Sequence, residues 1–184
     1  KCLAGADGVE IVGIITAPDK PAGRGLKNTE PPIKNWAKEF LPGALLYQPK
    51  KLLDVPYIGD LSADAFIVAE YGFLIPTKIL KIPPLGTINV HPSLLPKYRG
   101  ATPLQQALID GKIETGVSIM QIDEKLDHGP IFAQEKFIIN PADDINIIKN
   151  RAAALACKML LNVLNALENG TAVAKAQNHG AATF

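Results

Sequence analysis

Asn89 and His91 lie two residues apart at the end of the apolar run 86–90, whose pattern predicts a buried strand. Residues two apart on an extended chain share a side, so an amide and an imidazole are expected to face one cleft. Pro92 and Pro96 follow, forcing a rigid loop that cannot join a ladder. An amide N–H can polarise a carbonyl oxygen, and an imidazole can hold the resulting oxyanion or move a proton. Asp127 adds a carboxylate in the turn Asp127-His128-Gly129-Pro130, which comes after another strand. From there it can raise the basicity of the imidazole or take a proton through water. Together these groups suit transfer of a small acyl group to an amine through a tetrahedral intermediate. Each also has a plainer reading. A histidine at a strand end is often held for structure alone, and an Asp-His-Gly-Pro turn is often only a turn.

Other chemistries lack their residues. No G-x-S-x-G elbow, phosphate-binding P-loop or G-x-G-x-x-G fingerprint follows a strand. The 3 histidines, His91, His128 and His179, are scattered, and Cys2 and Cys157 have no metal-ligand spacing, so no metal site is expected.

The elements that must position the site follow in chain order. Val9 to Thr16 is β-branched and apolar and predicts a buried strand of the parallel type. Ala17 to Pro32 is broken by prolines and glycines and carries Asp19, Lys20, Arg24 and Lys27. It reads either as a surface loop with solvated charges or as a basic recognition loop, with Arg24 left exposed between Gly23 and Gly25. Pro31 to Phe40 predicts a helix with Ile33, Trp36, Ala37 and Phe40 on its apolar face. Ala44 to Tyr47 predicts a short strand, Lys50 to Leu61 a weak helix interrupted at Pro56, and Ala63 to Ala69 a second buried strand. The apolar loop Tyr71-Gly72-Phe73-Leu74 after that strand is a candidate pocket wall or a loop packed on its own helix.

A turn of helix is expected at Thr77 to Leu80 and a helix at Thr102 to Ile109, with Thr102 as its cap. Gly116 to Ile122 and Ile131 to Ile139 read as strands, and Asp144 to Glu168 as a long helix with Ile148, Leu155, Met159 and Val163 inward. Ala172 to Phe184 reads as extended or frayed. The order predicts an α/β protein with a doubly wound sheet and a modified far edge.

Composition adds limits. With 184 residues the chain can bury a sizeable core, and 47% hydrophobic with 20% charged residues argues against disorder. A net charge of +1 means that any nucleic-acid contact must be local. Two cysteines are too few for a disulfide scaffold and point to a reducing compartment. No apolar run reaches the length of a spanning helix. The opening residues lack an initiator Met and a signal-peptide core. They read as a helix end running into a Gly stop, as if the chain began inside a longer protein.

The pattern Asn89-x-His91-x-Ser93-Leu94-Leu95-Pro96 with Leu126-Asp127-x-Gly129 resembles the 10-formyltetrahydrofolate-dependent formyltransferase superfamily. The resemblance implies a Rossmann-like domain with a mostly parallel sheet and helices on both faces. It implies catalytic roles for Asn89, His91 and Asp127, and folate contacts from Ser93, Leu94, Leu95 and Pro96. Tyr71, Gly72 and Leu74, with Ile122 and Leu126, are implied as pocket walls for the donor, 10-formyltetrahydrofolate. Three further stretches, 16–25, 98–105 and 114–121, resemble the branch whose acceptor is initiator methionyl-tRNA. The first is similar to that branch's tRNA-binding loop, which makes Lys20, Arg24 and Lys27 candidate acceptor-stem contacts.

An amino sugar or glycinamide ribotide is the alternative acceptor within the superfamily. The resemblance further implies a catalytic domain over 1–172 whose first strand precedes Lys1. Residues 173–184 would then begin a linker to a C-terminal tRNA-binding barrel. A monomer is expected, in the bacterial cytoplasm or an organellar matrix. Glu70 stands where the superfamily usually has a small or apolar residue, and His128 where Thr or Ala is common.

Overall fold

Short strands, a long closing helix and proline-set helix starts build an α/β structure, seen in a computed structural model that describes all residues except 23–26, 53, 54, 56 and 57. The chain divides into two compact units: Lys1–Ala63 with Phe73–Ile79, and Asp64–Gly72 with Leu80–Phe184.

In the first unit, β1 (Ile14–Ile15) pairs in parallel with β4 (Leu46–Tyr47), in the register Ile14 to Leu46. The strand expected from Val9 is shorter because its described partner is only two residues long; Ile14 N and Thr16 N donate to Leu45 O and Tyr47 O, and pairing stops there. β2 (Lys20–Ala22) and β3 (Lys27–Thr29) pair antiparallel, so the described part of the basic segment is paired strand. Arg24 lies outside the described residues.

Asp19, just before β2, accepts from Lys34 Nζ at 2.7 Å and from Gln48 Nε2 at 2.7 Å. Those bonds hold its carboxyl below the usual carboxylate range, the Lys34 bond foremost. Helix α1 (Pro32–Phe40) starts on a proline whose missing N–H would go unused there anyway. Ala37 is buried and Trp36 stacks on Phe40 with centroids 5.8 Å apart, but Ile33 and Phe40 are exposed. The helix expected over Lys50 to Leu61 falls partly outside the described residues, and its described part is a 3₁₀ turn, Ile58–Leu61.

The second unit holds a four-stranded sheet in the order β5-β6-β7-β8. β5 (Phe66–Val68) and β6 (Thr87–His91) are parallel, whereas β7 (Glu114–Gln121) and β8 (Ile131–Ile138) pair antiparallel. This is the modified far edge. α2 (Thr77–Leu80) is the expected single turn, and α3 (Pro103–Ile109) starts on a proline without a side-chain bond from Thr102.

β7 alternates in sequence, yet Thr115 through Met120 are all buried because both of its faces are covered. α4 (Ile145–Glu168) packs on β7 and β8. The loop 93–95 covers the other side of β7, where Ser118 Oγ donates to Ser93 O at 2.7 Å. Gly116 is required beneath that loop, since a Cβ there would lie 2.4 Å from Leu94 Cδ2 and 2.3 Å from Glu135 O.

Asp144 caps α4 by accepting from Asn146 N and Ile147 N, each at 2.8 Å. Ile148, Ala152, Ala156, Met159, Leu160 and Val163 form its buried stripe, with Leu155 only half-buried. The closing segment is pinned rather than frayed: Lys175 and Ile131 exchange both backbone bonds, at 2.8 and 2.9 Å. Neither Cys2 nor Cys157 is a free thiol, against the reduced state expected from two isolated cysteines. Among the described residues no helix is long and apolar enough to cross a membrane.

Candidate active site

β6 carries Asn89 opposite Met120 and His91 opposite Ser118, so the two side chains share one side of the strand, as two-residue spacing requires. Both converge on Asp127. Asn89 Nδ2 lies 3.4 Å from Asp127 Oδ1, and His91 Nδ1 lies 3.6 Å from the same oxygen. His91 is nearly fully buried, and its Nε2 sits 2.8 Å from Tyr98 O. A carbonyl can only accept, so Nε2 carries a hydrogen and Nδ1 is left facing the carboxylate. In the neutral ring Nδ1 carries a lone pair, and in the imidazolium it is a second donor aimed at the carboxylate.

The long contacts at Asp127 Oδ1 matter chemically. Two nitrogens aimed at one point with slack of several tenths of an ångström can turn to an oxygen that develops negative charge nearby. Asp127 itself is held elsewhere: its Oδ2 accepts from Gly100 N at 2.7 Å. Its backbone has φ +45°, a conformation that costs a non-glycine residue roughly 1–3 kcal/mol and clusters at functional sites. Gly129, two residues on, packs against β7 so closely that a Cβ would lie 1.9 Å from Gln121 O.

The residues expected at the folate divide into two kinds. Ser93 and Leu95 are buried; Ser93 Oγ donates to Lys97 O at 2.7 Å, and Leu95 N donates to Ser118 Oγ at 3.2 Å. They hold the loop's shape. Leu94 and Pro96 are half-buried, and Pro96 follows a cis peptide bond. Leu126 is exposed beside Asp127, Ile122 is half-buried with its N–H donated to Thr87 O, and Gly72 is exposed at φ +75°. Burial raises the pKa of the Tyr71 phenol above its ordinary value. Leu74 is 83% exposed and belongs to the first unit. Lys20, also in that unit, is exposed with its ammonium 5.5 Å from the centre of the Phe73 ring. Lys27 opens β3.

A cleft of about 300 Å³ lies beside the trio, lined by Tyr98 to Pro103, Gln106, Leu126 and Phe184. It reaches the trio through Gly100, which donates to Asp127, and through Leu126. Asn89, His91 and Asp127 do not themselves line it. Tyr98, at φ +57°, donates its hydroxyl to Asp110 Oδ2 at 2.7 Å, and burial with that bond pushes its pKa up to about 12. Among the described residues no group of 3 or more His, Cys, Asp or Glu side chains gathers as metal ligands would.

The site includes residues to which the sequence pattern assigned no role. Tyr98 O fixes the His91 tautomer, Gly100 N anchors Asp127, and Gly116 and Ser118 seat the Ser93 loop. Their signal was indirect: Tyr98-Arg99-Gly100 and Gly116 lie in stretches noted only for likeness. Backbone donors and acceptors leave no mark in residue type.

Residues 1–164 match the model of the formyl transferase family. The methionyl-tRNA formyltransferase of Dictyoglomus thermophilum is 44% identical over 182 residues, which cover 97% of this chain and 58% of that protein. The chain thus spans a little over half the length of that curated relative. Phosphoribosylglycinamide formyltransferase from Anaplasma phagocytophilum superposes with a TM-score of 0.72 at 22% identity, covering 91% of this chain and 80% of that one. A sugar 3N-formyl transferase, solved with dTDP and 5-N-formyl-THF, superposes at 0.70 with 17% identity, covering 96% of this chain and 61% of that one. These two likenesses bear on the fold, which is the Rossmann-like α/β fold of formyltransferases.

Proposed function

The chain belongs to the formyl transferase family, and we propose that it transfers the formyl group of 10-formyltetrahydrofolate to the α-amine of methionine on initiator methionyl-tRNA. The observation that carries this reading is the convergence of Asn89 and His91 on Asp127 Oδ1 at the end of β6. The amine nitrogen attacks the formyl carbon, and the carbonyl oxygen takes the charge. Asn89 Nδ2–H and protonated His91 Nδ1 turn from Asp127 to that oxygen. One such donor lowers the barrier by roughly 3 kcal/mol. Asp127 takes the proton from the attacking nitrogen, directly or through water. The bond from formyl carbon to N10 breaks, N10 receives the proton, and tetrahydrofolate leaves.

The donor is read into the cleft that Leu126 lines, and Tyr71, Gly72, Leu94, Pro96 and Ile122 are proposed as further donor contacts. Ser93 and Leu95, being buried, serve by holding the loop. The acceptor assignment draws support from the 44% identity to a methionyl-tRNA formyltransferase. Lys20, Arg24 and Lys27 are the proposed acceptor-stem contacts, whose loss should weaken tRNA binding and flatten its salt dependence. We assign the chain to a monomeric protein of the bacterial cytoplasm or an organellar matrix. The alternative acceptors, an amino sugar or glycinamide ribotide, draw support from the fold likenesses alone.

The test is a competition assay on the full-length gene product with donor present, offering initiator methionyl-tRNA, elongator methionyl-tRNA, sugar amines, glycinamide ribotide and water. Preference for initiator methionyl-tRNA is expected. Preference for a sugar nucleotide, or formate release without any acceptor, sinks the assignment. Asn89→Ala should cost roughly 10²–10³ in the single-turnover rate; an unchanged rate removes Asn89 from the mechanism.

A further inference from the structure

The segment 175–183 lies beyond residue 164, where the family match ends, yet it bonds to the 127–129 turn and to the backbone of residues 96–99 beside the trio. Gln177 is buried. Its Nε2 donates to Asp127 O at 2.9 Å and to Gly129 O at 2.8 Å, while its Oε1 accepts from Arg99 Nη2 at 2.8 Å. Two carbonyls and one guanidinium leave a single orientation for the amide, and all its polar groups on these three partners are used. The bond from Arg99 is charge-assisted.

Thr183 grips the other half of the site. Its Oγ1 accepts from Tyr98 N and its carbonyl from Arg99 N, each at 2.8 Å, and its own N–H donates to Pro96 O at 3.3 Å. Tyr98 supplies the carbonyl that sets the His91 tautomer, and Gly100 the N–H that holds the Asp127 carboxylate.

From this geometry we propose that Gln177 is a positioning residue for the formyl transfer, clamping the 127–129 turn so that Asp127 stays aimed at Asn89 and His91. The proposal rests on the catalytic reading of Asp127 above. The turn needs such a clamp because Asp127 sits at φ +45°, which a non-glycine residue adopts only when its surroundings hold it. Gln177 ties both carbonyls that flank the strained unit to Arg99, whose backbone is held in turn by Thr183. The closing segment thereby joins the loop bearing Tyr98 and Gly100 to the turn bearing Asp127.

The test is a double-mutant cycle in single-turnover formyl transfer, on the full-length gene product with saturating donor. Gln177→Leu should lower the rate by roughly tenfold or more, with the KM for donor within about twofold. In an Asp127→Asn background the same substitution should lower it by less than about twofold, because the group it positions is already gone. Gln177→Glu is the second variant, in case Gln177→Leu does not fold. It keeps an acceptor for Arg99 but loses both donors to the turn, and should match the loss. An equal loss in both backgrounds, or a full rate in Gln177→Glu, overturns positioning through Asp127. A full rate in Asp127→Asn alone overturns the catalytic reading, a distinct result that removes the proposal with it.

Discussion

Replacing Gly129 with alanine tests how tightly the turn is fitted to the sheet. The added Cβ would stand 1.9 Å from Gln121 O and 3.1 Å from Gln121 C. Ordinary contact needs more than an ångström of extra separation. The strand is the less yielding partner, because Gln121 pairs with Ile88 of β6. The turn must therefore move, and three bonds go with it: the one from Gln121 N to Pro130 O and the two from Gln177 to Asp127 O and Gly129 O. At about 1 kcal/mol each, the stability loss is about 3 kcal/mol.

The catalytic loss should be of similar size. A 1 Å shift of Asp127 breaks its 2.7 Å bond to Gly100 N and lengthens contacts to Asn89 and His91 that already exceed 3.3 Å. Misplacement on that scale costs on the order of 10²-fold in rate. The assay is single-turnover formyl transfer alongside thermal unfolding. Gly43→Ala, with nothing within 4 Å of its Cβ, serves as the silent control. A Gly129→Ala protein with the rate and Tm of the parent refutes the claim that packing against β7 aims Asp127.

Ser118→Ala should cost about 2–4 kcal/mol in urea unfolding, because it strips the partners of the buried Ser93 O and Leu95 N–H; a loss below about 0.5 kcal/mol contradicts that role. Asp144→Ala removes a cap that accepts from two helix N–H groups and should destabilise by about 1 kcal/mol, read as a shifted midpoint at unchanged m-value. Desolvation, then the neighbouring His128 and Arg99, hold the His179 pKa below its ordinary 6.5. The folded state therefore binds fewer protons than the unfolded one. His179's contribution is complete well above pH 6.5 and is lost as the pH falls below it. Denaturation midpoints across that window should flatten in His179→Gln, and an unchanged slope removes His179 as the cause.

Much of the architecture was legible because it rests on periodicity and punctuation. α1 begins at its proline, α2 spans its expected residues, and α4 runs from its Asp144 cap to Asn169, where Gly170 takes φ +67°. The strands near the N-terminus were overestimated, since residue type alone predicts a willingness to extend and says nothing of how long the partner is. β7 was legible as a strand but not as doubly buried. Its alternation is real, but its polar members Thr115 and Ser118 meet protein rather than water.

The residue types at 89, 91 and 127, and the spacing that puts the first two on one side of a strand, follow from the sequence by itself. So do the prolines that stiffen the following loop and the basic run that precedes α1. Only the tertiary structure decided how these groups are aimed. The His91 tautomer depends on Tyr98 O, the Asp127 carboxylate on Gly100 N, and the strained turn on Gln177 from 48 to 50 residues away. Side-chain chemistry is written one residue at a time. Its orientation comes from backbone groups that every residue carries alike, and these act only where the fold brings them.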